Sequence, residues 1–193
     1  MRKNLIIILG FLIILINTQL AVASNFKNNL RQIRAEINRD NLDEAMQIIK
    51  KIKITNKNQQ EKIDLLFGDI YLKINQIGKA EEFYQKNFFT SNNEIEALTF
   101  TGLAEVRLAQ GKLDDAIKYA KKSIKINSNK VRPKIILAIA KTRFGDSEES
   151  IKILNELYDN RKDAEIALAI SDYYSSFDDS KQAIKVLEDF ITR

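Results

Sequence analysis

A small side chain returns at a nearly fixed interval along this chain: Ala45, Ala80, Ala116, Ser150 and Ala183 stand 35, 36, 34 and 33 residues apart. Related phrases surround them, NLDEAMQII, QIGKAEEFY, LDDAIKYA, DSEESIKIL and DSKQAIKVL. Such a recurrence constrains the fold more than composition does, because one short unit cannot bury its own apolar face and must stack on copies of itself. A second position keeps step with the first. Twelve residues before each anchor stand Ile33, Gly68, Ala104, Ala138 and Ser171, four of the five small. Helix axes approach closely only where the facing side chains are small, so the two positions predict a packed pair of helices in every unit.

The connection within each pair is legible as well. Five residues before each anchor stand Asp40, Asn75, Gly111, Gly145 and Asp178, types that accept or cap a tight turn. Each unit therefore reads as helix, short turn, helix. In FGDSEES, Gly145 is suited to close the first helix in a left-handed conformation, and Asp146 with Glu149 reads as a capping box for the second. Asp179 with Gln182 offers the same arrangement, and Pro133 is expected in a first helical turn, where its missing N–H costs little.

These units resemble tetratricopeptide repeats, helix-turn-helix motifs of about 34 residues. Leu103-Ala104, Leu137-Ala138 and Phe67-Gly68 match the large-small pair of the first helix, and Tyr71 and Tyr174 its later aromatic. Gly111 and Gly145 match the turn glycine, and Ala45, Ala80, Ala116 and Ala183 the small residue of the second helix. The resemblance covers residues 26–193. It implies an all-α fold, a right-handed superhelical solenoid of about five repeats at 26–60, 61–96, 97–130, 131–163 and 164–193. Three departures carry their own expectations. Gln32-Ile33 replaces the large-small pair of the first unit, so its first helix is expected to pack more loosely or at another angle. Leu157 and Phe190 occupy a position that is usually small, and Ile184, Leu187 and Ile191 of the last helix are expected to be partly uncovered.

The first residues have another character. Arg2 and Lys3 precede an apolar run from Leu5 to Ile16, and Ala21-Val22-Ala23 supplies the small-x-small pattern that a signal peptidase reads. The run is shorter than the roughly 20 residues needed to cross a bilayer. Residues 1–23 are therefore expected to be a cleaved signal peptide, leaving 24–193 as an exported protein, periplasmic or secreted; a tether formed by the uncleaved segment is the alternative. With no Cys, a lipidated cysteine, disulfides and thiol chemistry are excluded. With no His, the usual general base at neutral pH and the commonest metal ligand are missing too. The net charge of +5 falls to +3 without Arg2 and Lys3, too balanced to argue for nucleic acid.

No nucleophile motif, phosphate loop or metal-ligand cluster appears, and the carboxylates are evenly scattered. The expectation is a protein without catalytic residues, cofactor or metal: an interaction scaffold or adaptor of the bacterial cell envelope, with another protein or peptide as partner. Self-assembly through the last helix and a place in an envelope enzyme complex are the alternatives. The resemblance implies a concave groove lined by particular first-helix positions. These are Lys62, Leu65, Asp69, Leu72 and Lys73 in the second unit, and Leu98, Thr101, Glu105 and Leu108 in the third. The fourth supplies Arg132, Ile135, Ile139, Thr142 and Arg143, and the fifth Leu168, Asp172, Ser175 and Ser176. Charged ends and an apolar middle suit a peptide or helix with one apolar side. Packing of the same Leu and Ile residues against neighbouring units is the competing reading. The family's clamp for the C-terminal carboxylate of chaperones is not expected, since its places hold Leu65, Asp69, Gly102, Arg132 and Ile136.

Two further features are weighed in the same way. Lys118, Lys121, Lys122 and Lys125 recur at helical spacing, which reads first as the solvated face of an amphipathic helix and otherwise as a surface for anionic lipid or an acidic partner. Phe88-Phe89 and Tyr173-Tyr174 are expected to pack in the core, with at most one member of each pair facing solvent.

Overall fold

The computed structural model describes residues 24–192, and the expected signal peptide lies outside them. Ten helices and no strands occur among these residues. They follow in pairs: α1 (24–38) and α2 (Leu42–Lys51), α3 (Lys57–Lys73) and α4 (Ile77–Gln85), α5 (Asn93–Ala109) and α6 (Leu113–Ile126), α7 (Arg132–Phe144) and α8 (Ser147–Asn160), α9 (Ala164–Ser175) and α10 (Ser180–Ile191). No helix among the described residues is long and apolar enough to cross a membrane.

Each turn inside a pair has the same backbone, whatever its residue. Asp40, Asn75, Gly111, Gly145 and Asp178 all have positive φ, at 65°, 57°, 71°, 104° and 58°. The left-handed residue lets the next amide reach back to a carbonyl of the last helical turn. Lys112 N–H thus donates to Arg107 O at 2.9 Å, and Asp146 N–H to Lys141 O at 2.9 Å. Asn and Asp tolerate this conformation better than other non-glycine residues, which is why three of the five turns manage without glycine.

The helix starts follow the sequence only in part. Asp179 accepts from Gln182 N–H at 3.1 Å, and Pro133 lies in the first turn of α7, as expected. The capping box at Asp146 and Glu149 does not form: Asp146 makes no side-chain cap bond. Both carboxylates instead accept from Lys141 Nζ, Asp146 at 3.2 Å. Lys141 is only 6% exposed, so two carboxylates answering a nearly buried ammonium outweigh one exposed cap. Their hydrogen bonds, Glu149 first, hold the Lys141 pKa above its ordinary value although burial opposes this.

The chain divides into two compact units at Leu66–Phe67, within α3. In the described part of the first, Ile33 and Ala45 are fully buried, and Ile37, Ile48 and Ile49 nearly so. The large residue at position 33 is therefore accommodated in the interior. Gln59 orders the entry to α3, its side-chain oxygen accepting from Thr55 N–H at 2.9 Å while its backbone N–H donates to Asn56 Oδ1 at 3.0 Å.

In the second unit each helix packs on its pair-mate and on the pair that follows. Ala104 and Ala120 meet Ile136 and Leu137, and Ile135, Ala138, Leu154, Leu157, Ile166, Ala169 and Ile170 form the next stretch of core. Leu157, at a position that is usually small, is simply part of that core. Buried serine hydroxyls cross between the two helices of a pair. Ser123 Oγ donates to Ala97 O and Ser150 Oγ to Ala138 O, both at 2.8 Å. Thr101 and Thr142 share these bonds, at 2.8 Å and 2.6 Å from the serine oxygens. On α10, Ile184 and Ile191 are exposed and Leu187 half-buried, so the partly uncovered face is present.

Candidate functional site

Within the second unit the first helices of successive pairs touch one another, α5 against α7 and α7 against α9. The row formed by α5, α7 and α9 is thus continuous. Tyr84 of α4 links α5 to the part of α3 that belongs to this unit. Its side chain is 1% exposed, and its hydroxyl donates to Asp69 Oδ1 at 2.7 Å. The ring fills the space left by two glycines: a Cβ on Gly68 would stand 2.5 Å from Tyr84 Cε1, and one on Gly102 2.3 Å. Burial pushes the phenol pKa well above its usual value, and the charges of Asp69 and Glu105 add to the effect.

The middle of the row is held by Arg132. Its Nε donates to Glu105 Oε1 of the preceding pair, and its Nη1 to Glu165 Oε1 of the following pair at 2.9 Å. Burial alone would lower the guanidinium pKa, but the two glutamates outweigh it and raise it. One arginine thereby ties three consecutive first helices. Arg143 reaches from α7 toward the Leu108 carbonyl on α5 at 3.5 Å.

The sequence-predicted positions separate into two groups. Asp69, Lys73, Arg132, Arg143, Leu168, Asp172, Ser175 and Ser176 are exposed, while Lys62, Leu72, Leu98, Glu105, Leu108, Ile139 and Thr142 are partly exposed. Leu65, Thr101 and Ile135 are buried, at 6%, 8% and 2%, which fits the competing reading of packing inside the repeats. Ile135 packs with Ala138, Leu154 and Ile166, and the Thr101 hydroxyl is taken up by Ala97 O and Ser123. Lys62 and Leu65 belong to the first unit. In the second unit Leu72, Leu98, Leu108, Ile139 and Leu168 keep apolar surface on the first helices, and Asp69, Glu105, Glu165 and Asp172 stand on the same helices. Leu168, 53% exposed, is the most open of these apolar side chains.

Sequence reasoning missed Glu165 and Tyr84. Glu165 stands in the fifth unit one unit-length after Arg132, so opposite charges at equivalent positions of neighbouring repeats were the available signal. Tyr84 stands four residues after the anchor Ala80, where the third unit has Ala120, and the glycines at 68 and 102 were its signature. Arg132, one of the places compared with the chaperone-tail clamp, is already occupied by two carboxylates. Gly102 lies buried against Tyr84. Among the described residues, no three acidic side chains are grouped so as to hold a metal ion.

Three comparisons with known proteins bear on this geometry. The family model for the tetratricopeptide repeat matches residues 99–130, the α5–α6 pair. None of the curated proteins matches the chain. Among solved structures, TTC0263, a thermophilic TPR protein of Thermus thermophilus, is similar with a TM-score of 0.74 at 15% identity, over 86% of this chain and 90% of that one. MamA of AMB-1 is similar in two crystal forms. In P212121 the TM-score is 0.53 at 14% identity, over 84% of this chain and 95% of that one. In C2221 it is 0.50 at 14% identity, over 86% and 96%. At these identities the likeness is one of fold, and folds of this kind generally serve protein–protein interaction. The chain is thus a protein of tetratricopeptide-repeat fold, with residues 99–130 a repeat of that family.

Proposed function

We propose that this chain is a non-enzymatic scaffold or adaptor, and that the first-helix row of its second unit holds a peptide or helix of another protein. The observation that carries the reading is this set of open apolar side chains. Leu168, Ile139, Leu108 and Leu72 keep apolar surface on successive first helices, and carboxylates stand on the same helices. A partner with one apolar side and flanking cations satisfies both parts. The Glu105–Arg132–Glu165 ion pairs link α5, α7 and α9, the helices that carry Leu108, Ile139 and Leu168. The test is to immobilise the wild-type chain and a variant with Leu168→Asp and Ile139→Asp, and to compare the native proteins each retains. A discrete partner lost in the variant, with helical content unchanged, supports the groove; identical retention removes it.

The amino-terminal pattern supports export to the bacterial envelope, with cleavage after Ala23. Amino-terminal sequencing of the protein recovered from its native host then begins at Ser24. A start at Met1 or Arg2 in a membrane fraction would instead indicate the tethered form.

Self-association is a second reading, favoured by Phe177, Ile184 and Ile191, which are 52%, 56% and 78% exposed around α10. A mass in solution that stays monomeric across concentration would exclude it.

A further inference from the structure

From Ala116 to Gly145 the chain carries nine basic residues and no acidic one, more like charges than any other uninterrupted stretch of the sequence holds. The structure divides these cations by task. Arg132 and Lys141 are committed to carboxylates inside the repeat stack. Lys118, Lys121, Lys122 and Lys125 stand exposed on α6 and form no ion pair among the described residues.

A row of solvated lysines is ordinary, but an apolar side chain stands beside this one. Phe89, in the turn between α4 and α5, is 90% exposed, more than any other large apolar side chain described. Phe88 already covers the core edge there, with its ring centroid 5.8 Å from that of Phe100, so Phe89 adds nothing to the interior. The two features are joined by a chain of ring contacts through Phe88 and Phe100. Phe89 meets Phe88 edge-on at 5.2 Å, and Lys122 Nζ stands 5.0 Å from the centre of the Phe100 ring and 5.7 Å from that of Tyr119. The bond from Ser123 Oγ to Ala97 O sets the last turns of α6 beside the start of α5, so both features lie at one end of the helix pair.

The acids near this edge are few. Glu94 and Glu96 occupy the first turn of α5, and Glu82 is paired with Lys86 at 3.8 Å. Asp114 and Asp115 are at the opposite end of α6, and on α8 Lys152 alternates with Glu156 and Asp159.

We infer that this edge, with Phe89 as the inserting side chain and Lys118, Lys121, Lys122 and Lys125 as headgroup contacts, docks the protein on an anionic phospholipid surface. An acidic polypeptide would satisfy the lysines and leave Phe89 in water. A bilayer takes both at their proper depths, the ring at the headgroup–acyl boundary and the ammonium groups at the phosphates. The inference goes beyond the groove and does not depend on it, since it uses the opposite helices.

The chain has no tryptophan, so Phe89→Trp in the full chain makes a clean probe. Vesicles of phosphatidylcholine and phosphatidylglycerol in equal amounts are compared with vesicles of phosphatidylcholine alone. The expected result is a blue shift of the Trp emission and co-flotation only with the anionic vesicles, both reversed by high salt. In the otherwise native chain, Lys121→Gln with Lys122→Gln lowers partitioning about fivefold per lysine, and Phe89→Ser about tenfold or more. Equal binding to both vesicle types, as the apolar run of residues 5–16 alone would produce, overturns the inference. So does anionic binding that ignores these substitutions, or an effect of the lysine pair on polyglutamate binding but not on vesicles.

Discussion

The Tyr84 hydroxyl donates to Asp69 Oδ1 at 2.7 Å, and the same ring lies against Gly68 and Gly102. One side chain thus fills the contact between two repeats and anchors the carboxylate of a candidate groove residue. Gly102→Ala puts a methyl group into a buried ring that has no room to turn, and is expected to cost about 2–3 kcal/mol. Tyr84→Phe keeps the packing and loses the charged hydrogen bond, at about 2 kcal/mol. Urea denaturation checks both, and in a Tyr84→Leu background the Gly102→Ala cost should largely disappear.

The same tyrosine makes stability sensitive to alkali. Its folded pKa is raised, by burial first and then by Asp69 and Glu105. Its contribution is therefore fully present below the unfolded value near pH 10 and declines as pH rises above it toward the folded value. Melting temperatures followed from pH 9 to pH 11 should fall less steeply for Tyr84→Phe than for the wild-type chain.

Acid acts through Glu81. Arg107 donates to both its oxygens, at 2.9 and 2.7 Å, and Gln110 adds a third bond at 3.0 Å. The hydrogen bond from Arg107 is the main reason the carboxyl pKa is held below its ordinary value. The stabilisation is present above about pH 4.5 and lost as pH falls through the depressed folded value. Arg107→Gln should cost about 1 kcal/mol at neutral pH and little once Glu81 is protonated, as thermal melts at both pH values would show.

Groove and core residues should respond differently to charge. Ile135→Asp buries an unpaired carboxylate among Ala138, Leu154 and Ile166, and should unfold the second unit, with loss of helical circular dichroism. Leu168→Asp at a half-open position should leave the spectrum and the melting temperature nearly unchanged.

Legibility in the sequence ended where packing between distant segments began. The left-handed turns at Asp40, Asn75, Gly111, Gly145 and Asp178 were legible because backbone geometry there admits few residue types. The small anchors were legible because close helix packing is periodic. The face was only partly legible. Ile135 and Ile139 sit one turn apart on α7 and have the same character in sequence, yet one is 2% exposed and the other half-buried, which depends on how far the neighbouring helix reaches. Asp146 and Glu149 carried the signature of a cap, and nothing local announced that Lys141 would be buried beside them. Of the adjacent pair Phe88-Phe89, one member faces solvent and the other is half-buried, as the sequence allows, but which of them turns outward is set by the turn at residues 86–89 and not by a helical period.

The most direct test of the central claim is site-specific photo-crosslinking in the native host, with a photoreactive residue at Leu168 on the groove and, for comparison, at Lys152 on α8. The account predicts a discrete adduct with another protein from position 168, absent from position 152 and lost when Ile139→Asp is added. No adduct from position 168, or the same adducts from both positions, would contradict it.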